Sequence, residues 1–535
     1  MTELNYLVLL DTDKIKEYLF ATNKLKEIRG ASTILDKLNQ QKTPMILCDM
    51  RYGHGNISRI ADKYVVDWPG TEPLDWQMVY FGGGAVQILF NDEKKANQFC
   101  ADIEKLYHNQ TDGIASTTGI VVERKPNESF KDWVNRGYKA LRKRKDSKYR
   151  KLQLLTNPHF KFCESSGTYI AESYDYSTTP HFIHRSVQIK RDEQGEGFIK
   201  LFKEYAEKKE ASQKLGWEKI RDAVPPNDLN EIGVLSNGYV GFVYADGNRM
   251  GSRFQSLDSF EEYSKLSKRI QTATENAIFD TMLKHLHLIE EKNEWRLPFQ
   301  ILMLGGDDLM FVVPANKAIE IAISFCNKFQ CYTKDSSDSQ GISISAGVLI
   351  SHDNYPIHLM MNHGEELLKS AKKKSNKLFQ DSDLKNEVCT IDYMVLKGAL
   401  LKALKDMRQE SLTVQSFPSS EPLLRLYQRP YTTKELANLI HWIKKLKSSG
   451  FPHSRLKSIY QSLYRGRTQS ALDFLTMLSR LDEKPRKSIN QFFQDQIHQD
   501  PKLSFPPWRK DEDGYVTPLV DLIELYDFID KEDAS

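Results

Sequence analysis

The chain has 535 residues, of which 40% are hydrophobic and 27% are charged, so it is long enough for three or four domains and is not a disordered protein. No apolar run reaches the roughly 18 residues of a membrane span, and the apolar start, Tyr6 to Leu10, meets Asp11 without the basic leader and cleavage site of a signal peptide. Six cysteines without paired spacing favour reduced thiols. We therefore expect a cytoplasmic protein without membrane contact, and the formal charge of +3 indicates no particular partner.

Residues 1–150 predict strands and helices arranged around a glycine hairpin. An apolar strand ends in two aspartates, and two later apolar strands flank three glycines, which permit the backbone angles of a tight turn. A polar helix, a further strand and a basic helix follow. In chain order, these pieces are Tyr6 to Leu10 with Asp11 and Asp13, Val79 to Phe81, Gly82-Gly83-Gly84, Ala85 to Phe90, Thr118 to Val122, and a helix from about Phe130.

The basic helix and the residues after it, 139–151, carry a dense run of cations. These are Arg142, Lys143, Arg144, Lys145, Lys148, Arg150 and Lys151. Such a run is able to meet RNA phosphates, but a solvated helix face has the same composition. The sequence leaves both interpretations open.

A polar, irregular region, residues 151–232, separates this segment from the next. It contains Gly195, Gly197, the pair Pro225-Pro226 and a lysine-rich helix near Phe202 to Lys214. We interpret it as a helical insertion between two domains.

Residues 233–388 repeat the order of the first segment. An apolar strand ends in an aspartate, a helical stretch follows, and two apolar strands flank a turn that begins with two glycines. A helix, a strand and a last helix complete the copy. In chain order, these pieces are Tyr239 to Ala245 with Asp246, a helix from Phe260 to Ala277, Ile301 to Leu304, Gly305-Gly306-Asp307-Asp308, Leu309 to Val313, a helix through Phe325, a strand from Ile342 to Ile350, and a helix from about Leu359 to Lys374.

The last part of the chain, residues 389–535, changes to a helical pattern. Thr432 and Glu435 have the spacing of a capping box. Apolar residues at helical spacing follow, and further amphipathic stretches lie beyond them. They are Leu436, Leu439, Ile440, Ile443 and Leu446, then Leu456 to Leu463, Leu472 to Leu481 and Leu519 to Ile529.

The shared order of strand, helix, strand, turn, strand, helix, strand and helix predicts an α+β protein with two ferredoxin-like palm domains. We place the first palm at residues 1–150, the inserted helical region at 151–232, the second palm at 233–388 and a C-terminal helical bundle at 389–535. The glycine turn at the same place in both copies is the strongest sign of the repeat.

The turn of the second copy carries the candidate chemistry. Two aspartates, Asp307 and Asp308, lie on the turn, and a palm fold brings the end of the first strand, Asp246, beside them. Three converging carboxylates are hard oxygen ligands for Mg²⁺ or Mn²⁺, which also bind triphosphate oxygens. The alternative is a surface turn, because glycine and aspartate are common there.

A triphosphate also requires a cation, and the last helix of the second copy offers Lys372, Lys373 and Lys374. The alternative is that these lysines only complement the negative end of the helix. The turn of the first copy has no carboxylate, so we interpret that copy as a degenerate palm. We expect the two copies to pack face to face, with chemistry in the second.

The second copy resembles the palm of GGDEF proteins and nucleotide cyclases, and most closely the second palm of the large subunit of type III CRISPR effector complexes. The matching pieces are Tyr244 to Gly251, Gly305 to Asp308, Ser343 to Val348 and Glu365 to Lys372. The opening resembles the first palm of that subunit at Ile15 to Phe20 and at Ile28 to Ser32. The likeness is to the III-B kind, without the HD nuclease domain.

This resemblance implies a subunit that acts with other type III CRISPR subunits, crRNA and target RNA, and whose C-terminal helices contact the small subunit. Activated by target RNA, such a subunit converts ATP into cyclic oligoadenylate, and some members instead join AMP to S-adenosylmethionine. Carried over by motif, Asp246, Asp307 and Asp308 would hold the metals. The nucleotide would contact Gly247, Asn248, Gly305, Gly306, Ser345 and Lys372.

Two departures from that family lead to expected absences. The chain starts at the first palm, and its His352-Asp353 pair lies just past a strand without supporting ligands, so we expect no DNase activity. The family often has a zinc site between the palms, but here Cys163 is followed by Glu164-Ser165-Ser166-Gly167 instead of a second cysteine. Because structural zinc requires four ligands, we expect no zinc.

Two other classes of function stay open. A free-standing cyclase or dinucleotide synthase would work as a homodimer, but this chain already contains both palms. A catalytically silent scaffold is the other class, and the intact set of three aspartates argues against it.

Overall fold

The computed structural model describes residues 3–60, 63–67, 73–147, 159–176, 181–193, 195–213, 217–291, 293–336, 338–382, 385–398, 402–414, 423–497, 506–511 and 514–531. Among these residues, no helix combines the length and apolarity that a bilayer crossing requires.

The first palm is a four-stranded antiparallel sheet with helices on both faces. Its elements are β1 (Tyr6–Asp13), α1 (Ile15–Leu19), α2 (Leu25–Lys37), α3 (Thr43–Leu47), β2 (Ile57–Ile60), β3 (Lys63–Val66), β4 (Trp76–Gly82), β5 (Ala85–Phe90), α4 (Glu93–Thr111), β6 (Ser116–Glu123) and α5 (Phe130–Ser147). The order across the sheet is β4-β5-β1-β6, and β2 and β3 form a separate hairpin.

The alternation of side chains along β1 explains why helices cover both faces of this sheet. Val8 and Leu10 pack with the apolar residues of α4. Leu7 and Leu9 point to the other face and pack with Trp133 of α5. All four strand residues are buried.

The inserted region packs against both palms. Its elements are β7 (Ser173–Asp175), β8 (His181–Ile183), α6 (Arg185–Asp192), α7 (Phe198–Gln213), α8 (Trp217–Asp222) and α9 (Asn230–Gly233). The lysine-rich helix expected from Phe202 is α7, which begins one turn earlier. Gly30 of α2 lets α6 approach closely, since a methyl group there would lie 1.9 Å from the carbonyl oxygen of Lys190.

The second palm has the same strand order as the first, extended by further strands. Its elements are β9 (Tyr239–Gly247), α10 (Met250–Gln255), α11 (Phe260–His285), β10 (Ile289–Glu291), β11 (Glu294–Arg296), β12 (Gln300–Gly305), β13 (Asp308–Pro314), α12 (Ala315–Tyr332), β14 (Ile344–His352), α13 (Ile357–Asp381) and β15 (Thr390–Val395). The order β12-β13-β9-β14 repeats β4-β5-β1-β6, which confirms the predicted pair of palms. Strand β15 adds to β14 in parallel and lies beyond residue 388, where only helices were expected.

The C-terminal part is mainly helical but includes short strands that were not predicted. Its elements are α14 (Leu404–Ser411), β16 (Thr413–Val414), β17 (Leu423–Arg425), β18 (Tyr431–Thr432), α15 (Thr433–Ser448), α16 (His453–Leu463), α17 (Arg467–Ser479), α18 (Glu483–Ile497), β19 (Arg509–Lys510), β20 (Gly514–Val516) and α19 (Leu519–Tyr526). Strand β18 continues the sheet of the second palm, and β16-β17-β20-β19 form a small sheet of their own. The expected capping box is present, with Thr432 and Glu435 each accepting a backbone N–H of the other.

The two palms meet at their glycine turns. A methyl group on Gly305 would lie 2.8 Å from the Cα atom of Gly83, so the two backbones are in direct contact. Tyr263 of α11 extends the contact, because it belongs to the apolar cluster formed by Leu7, Leu9 and their neighbours in the first palm. This is the face-to-face packing expected from the sequence.

A cavity of about 340 Å³ lies beside this contact, between α2 of the first palm and α11 of the second. Asp36 and Glu275 both line it. Burial, followed by the negative charge of Glu275, raises the pKa of Asp36 to about 7, and burial also raises the pKa of Glu275. Two carboxyl groups therefore share a poorly solvated space at the interface.

Candidate active site

The two hairpins have the same length but different chemistry. Gly305 pairs with Asp308, which leaves Gly306 and Asp307 as a two-residue turn. Gly306 has φ +63°, the left-handed value that the first position of a type II′ turn requires. In the first palm, Gly82 pairs with Ala85, and both intervening residues are glycines with positive φ. Only the second hairpin therefore presents carboxylates.

The strand register brings Asp246 to the same place. Strands β13 and β9 pair Leu309 with Ala245, so one further step along this antiparallel register sets Asp308 opposite Asp246. A methyl group on Gly247 would lie 2.7 Å from Oδ2 of Asp307, so this glycine leaves space for the second carboxylate. The structure thus brings all three predicted aspartates together.

Mutual repulsion and burial perturb this acidic group. Burial, then the negative charge of Asp246 and a hydrogen bond with it, raises the pKa of Asp307 to about 7. Burial and the charges of Asp246 and Asp307 raise the pKa of Asp308 well above its ordinary value. Oδ1 of Asp308 is buried and accepts no hydrogen bond from the described residues. Carboxylate oxygens held in this way fit the ligand preferences of Mg²⁺ and Mn²⁺.

Lys372 is the lysine of its helix that reaches the acidic group. Its Nζ atom donates to Oδ2 of Asp246 at 2.5 Å and to the carbonyl oxygen of Gly247 at 3.0 Å. Lys374 instead binds Glu435, and Lys373 is exposed. The helix continues to Asp381, so the alternative that these lysines complement its C-terminal end is wrong.

Asn248 and Ser345 lie next to the aspartates but are buried. The Asn248 amide donates to Oγ of Ser343 at 2.9 Å, and its oxygen accepts from Oγ of Ser345 at 2.8 Å. These bonds join the end of β9 to β14 and fix the position of Asp246, which pairs with Ser345 in the register. Direct contact of either side chain with a nucleotide stays a prediction.

The first palm keeps part of the same arrangement. Asp11 pairs with Ala85, so by register Asp11 corresponds to Asp246 and Ala85 to Asp308. Lys145 of α5 binds both Asp11 and Asp13, the latter at 2.8 Å. The first palm therefore retains the aspartate and the lysine but lacks the carboxylates of the turn.

Part of the basic run on α5 is already used inside the protein. Lys145 is bound to aspartates, and Arg144 donates to Glu104 at 3.1 Å. Because both residues pair with carboxylates of the protein, neither an RNA contact nor a solvated helix face describes them fully. Lys148, Arg150 and Lys151 lie outside the described residues.

Three residues near the aspartates were not singled out from the sequence. Lys16 of α1 and Tyr80 of β4 come from the first palm, and Tyr244 comes from β9. Tyr80 borders the turn, since its hydroxyl oxygen would lie 3.7 Å from a methyl group on Gly306. Burial, followed by the negative charges of Asp308 and Asp246, raises the pKa of Tyr244. No local pattern distinguishes these residues, because their role depends on contact between the palms.

The inserted region contributes to a second group of potential metal ligands, which lies apart from the three aspartates. Among the described residues, one group of at least three potential metal ligands, Asp112, Glu172 and His184, has its ligand atoms within 4.8 Å of one another, and it contains no cysteine. Cys163 is fully buried with apolar neighbours. His352 and Asp353 bind each other at 2.8 Å. The expected absences of zinc and of DNase activity stay predictions.

The match with a known family falls on the second palm. Residues 239–379 match the family model described as Cas10/Cmr2, second palm domain. A stretch of 73 residues is 30% identical to the CRISPR system Cmr subunit Cmr2 of Pyrococcus furiosus, and it covers 14% of this chain and 8% of that protein. Residues 239–379, which match the family model, include Asp246, Asp307, Asp308 and Lys372.

Solved structures resemble the chain in fold. A Csm1–Csm4 cassette in complex with cA3 aligns with a TM-score of 0.54 at 12% identity, covering 99% of this chain and 70% of that one. Csm1 of T. onnurineus aligns with a TM-score of 0.43 at 14% identity, covering 72% of this chain and 53% of that one. The chain thus spans a small part of the Cmr2 protein and about half of the T. onnurineus Csm1 chain.

Proposed function

We propose that the second palm is an ATP-dependent nucleotidyltransferase and that the chain is the large subunit of a type III CRISPR effector complex. In this proposal, binding of target RNA activates the palm to make cyclic oligoadenylate. The observation that carries the proposal is the convergence of Asp246, Asp307 and Asp308 at one end of a palm sheet, inside the segment that matches the Cas10/Cmr2 model. The related Csm1–Csm4 cassette has been solved with cA3 and another with AMPPNP, an ATP analogue, which supports the choice of substrate and product class.

The three aspartates are proposed to hold Mg²⁺ or Mn²⁺. Bound divalent ions supply neutralisation of triphosphate charge and activation of an attacking hydroxyl. The protein contributes a rigid frame, since the Asn248–Ser345 bond fixes the end of β9 and the turn fixes Asp307. Burial and repulsion disfavour the fully ionised carboxylates on their own, so a divalent cation would relieve an existing cost.

Lys372 and the glycines of the turn are proposed to bind the nucleotide. Lys372 already lies against Asp246 and carries a cation suited to phosphate. Gly305 and Gly306 have no side chains, so their backbone can approach a phosphate closely. The first palm supplies the facing wall through Gly83, and one chain thereby provides both halves of the site without a homodimer.

Other type III subunits, crRNA and target RNA are the proposed partners. A surface feature supports the expected contact between the C-terminal helices and the small subunit. On α17, the side chains of Leu472 and Leu475 are 54% and 46% exposed, so this helix offers two apolar side chains for such a contact.

The test is mass spectrometry of products from ATP and Mg²⁺. The isolated chain and the complex assembled with crRNA would be compared with and without target RNA, and with and without S-adenosylmethionine. We expect oligoadenylates that depend on target RNA and disappear in Asp307→Ala/Asp308→Ala, but not in Asp406→Ala, which changes an exposed carboxylate of α14. An adenylated S-adenosylmethionine would replace the proposed product. No product from the complete target-bound complex would favour the silent scaffold.

A further inference from the structure

Lys16 is a cation of the first palm that lies in the acidic site of the second. It belongs to α1, directly after the strand that carries Asp11. Its Nζ atom lies 3.1 Å from Oε2 of Glu365 on α13 and 4.9 Å from the ring centre of Tyr244 on β9. Both partners are in the second palm, so Lys16 crosses the interface.

The surroundings connect Lys16 to Asp308. Both residues line one cavity of about 170 Å³, whose walls include the glycine turns of both palms. Tyr244, whose ring lies beneath the Lys16 ammonium, is close enough to Asp308 for the charge of that carboxylate, after burial, to raise the pKa of Tyr244. Oδ1 of Asp308 also remains without a hydrogen bond from the described residues and is buried.

Glu365 holds Lys16 in this position. Its second oxygen binds Lys369, one turn further along α13, at 2.7 Å. Lys369 has a side chain that is 71% exposed, whereas that of Lys16 is 35% exposed. The two lysines therefore share a partner, but only Lys16 faces the cavity that contains Asp308.

Two lysines, one from each palm, thus border the acidic group: Lys372 binds Asp246, and Lys16 lines the same cavity as Asp308. A free divalent cation that enters the site must overcome repulsion from both lysines. A cation that binds together with a triphosphate adds negatively charged oxygens, with which the lysine ammonium groups can form ion pairs. Because one of the two lysines comes from the first palm, this preference exists only while the palms are in contact.

We propose that Lys16 is a cross-palm positioning residue that makes the second palm bind a divalent cation together with a triphosphate rather than alone. This inference rests on the proposed function, since it assumes that the three aspartates hold the cation. Lys16 weakens the binding of the free cation and strengthens the binding of the nucleotide. The first palm therefore takes part in loading the site although its own turn has no carboxylate.

The test measures Mn²⁺ binding by electron paramagnetic resonance, with and without a non-hydrolysable ATP analogue, using the full chain. In Lys16→Gln, we expect Mn²⁺ alone to bind about three- to tenfold more tightly, because a nearby cation is removed from a partly solvated site. The analogue should bind about three- to tenfold more weakly in the presence of Mn²⁺. Lys16→Arg keeps the charge and should restore both values.

Lys369→Gln is the matched control, because it removes a lysine from the same glutamate without removing charge from the cavity. It should leave both affinities unchanged. A purely structural role for Lys16 would move both affinities in the same direction, and this result would overturn the inference, as would unchanged affinities in Lys16→Gln. If Lys16→Gln fails to fold, Lys16→Met keeps a side chain of similar length without the charge and carries the same expectation. Absence of Mn²⁺ binding by the unmodified protein even in the presence of the analogue would instead refute the proposed metal site, and the inference with it.

Discussion

Replacing Gly305 by alanine tests whether the contact between the two turns is required. The added methyl carbon would lie 2.8 Å from the Cα atom of Gly83, whereas non-bonded carbon atoms prefer about 3.5–4.0 Å. The obstacle is backbone, so the hairpins would have to separate by about 1 Å. Overpacking of this kind costs about 1–3 kcal/mol, and we expect a lower midpoint of thermal unfolding by calorimetry.

Gly305→Ala should also lower the rate of oligoadenylate formation. A displacement of about 1 Å at a reacting centre costs about 100-fold in rate, so we expect oligoadenylate formation by the target-bound complex to fall by about that factor. Gly251→Ala is the matched control, because no atom lies within 4 Å of the added methyl group. If Gly305→Ala kept both the unfolding midpoint and the rate, the two turns would not be in the contact described here.

Three further substitutions test other parts of the structure. Asp36→Asn removes a carboxyl group whose pKa is raised from 3.8 to about 7 by folding. The unmodified protein therefore loses stability as the pH rises between these two values. In urea unfolding, the variant should be about 1–3 kcal/mol more stable than the unmodified protein at about pH 8 but not at about pH 4. An equal gain at both pH values would contradict this reasoning. Lys372→Met should weaken binding of a non-hydrolysable ATP analogue about tenfold, as measured by calorimetric titration. Lys373→Met changes an exposed position of the same helix and should leave this affinity unchanged. Equal effects of the two substitutions would argue against a specific role for Lys372. Thr432→Ala removes the capping box of α15 and should lower the free energy of unfolding by about 1 kcal/mol; an unchanged urea midpoint would mean that the cap is not formed.

The repeated palm order was predictable because its signals are local. Each copy has apolar strands on either side of a glycine turn, and helices separate its other strands. The structure extends two of these elements beyond their predicted bounds, since β14 continues to His352 and α13 to Asp381. Polar residues at the ends of elements conceal such extensions, because the apolar pattern stops before the backbone hydrogen bonds do.

The short strands of the C-terminal part could not be predicted in the same way. Strands β16, β17, β19 and β20 have two or three residues each, too few for alternation to be detected. They are specified by long-range pairing, as when Leu423 in β17 pairs with Gly514 in β20.

The candidate site was predictable in part because its three aspartates lie in short local motifs. Asp307 and Asp308 are adjacent in sequence, and Asp246 ends a recognisable strand, so a palm fold brings them together. The sequence did not distinguish Lys372 from its two neighbours, because the choice depends on the rotation of α13 over the sheet. Lys16 reaches its partner Glu365 across 349 positions of the chain, and no pattern within either copy indicates that contact.

The difference between the two turns makes the interface between the palms asymmetric. Two identical palms related by a two-fold axis would offer two equivalent sites, and each bound nucleotide would be donor and acceptor alike. Here Ala85 stands where the second palm has Asp308, so the two positions across the interface are not equivalent. Under the proposed function, chemistry occurs on one side only, and a product longer than two units requires the growing chain to move past that side after each addition.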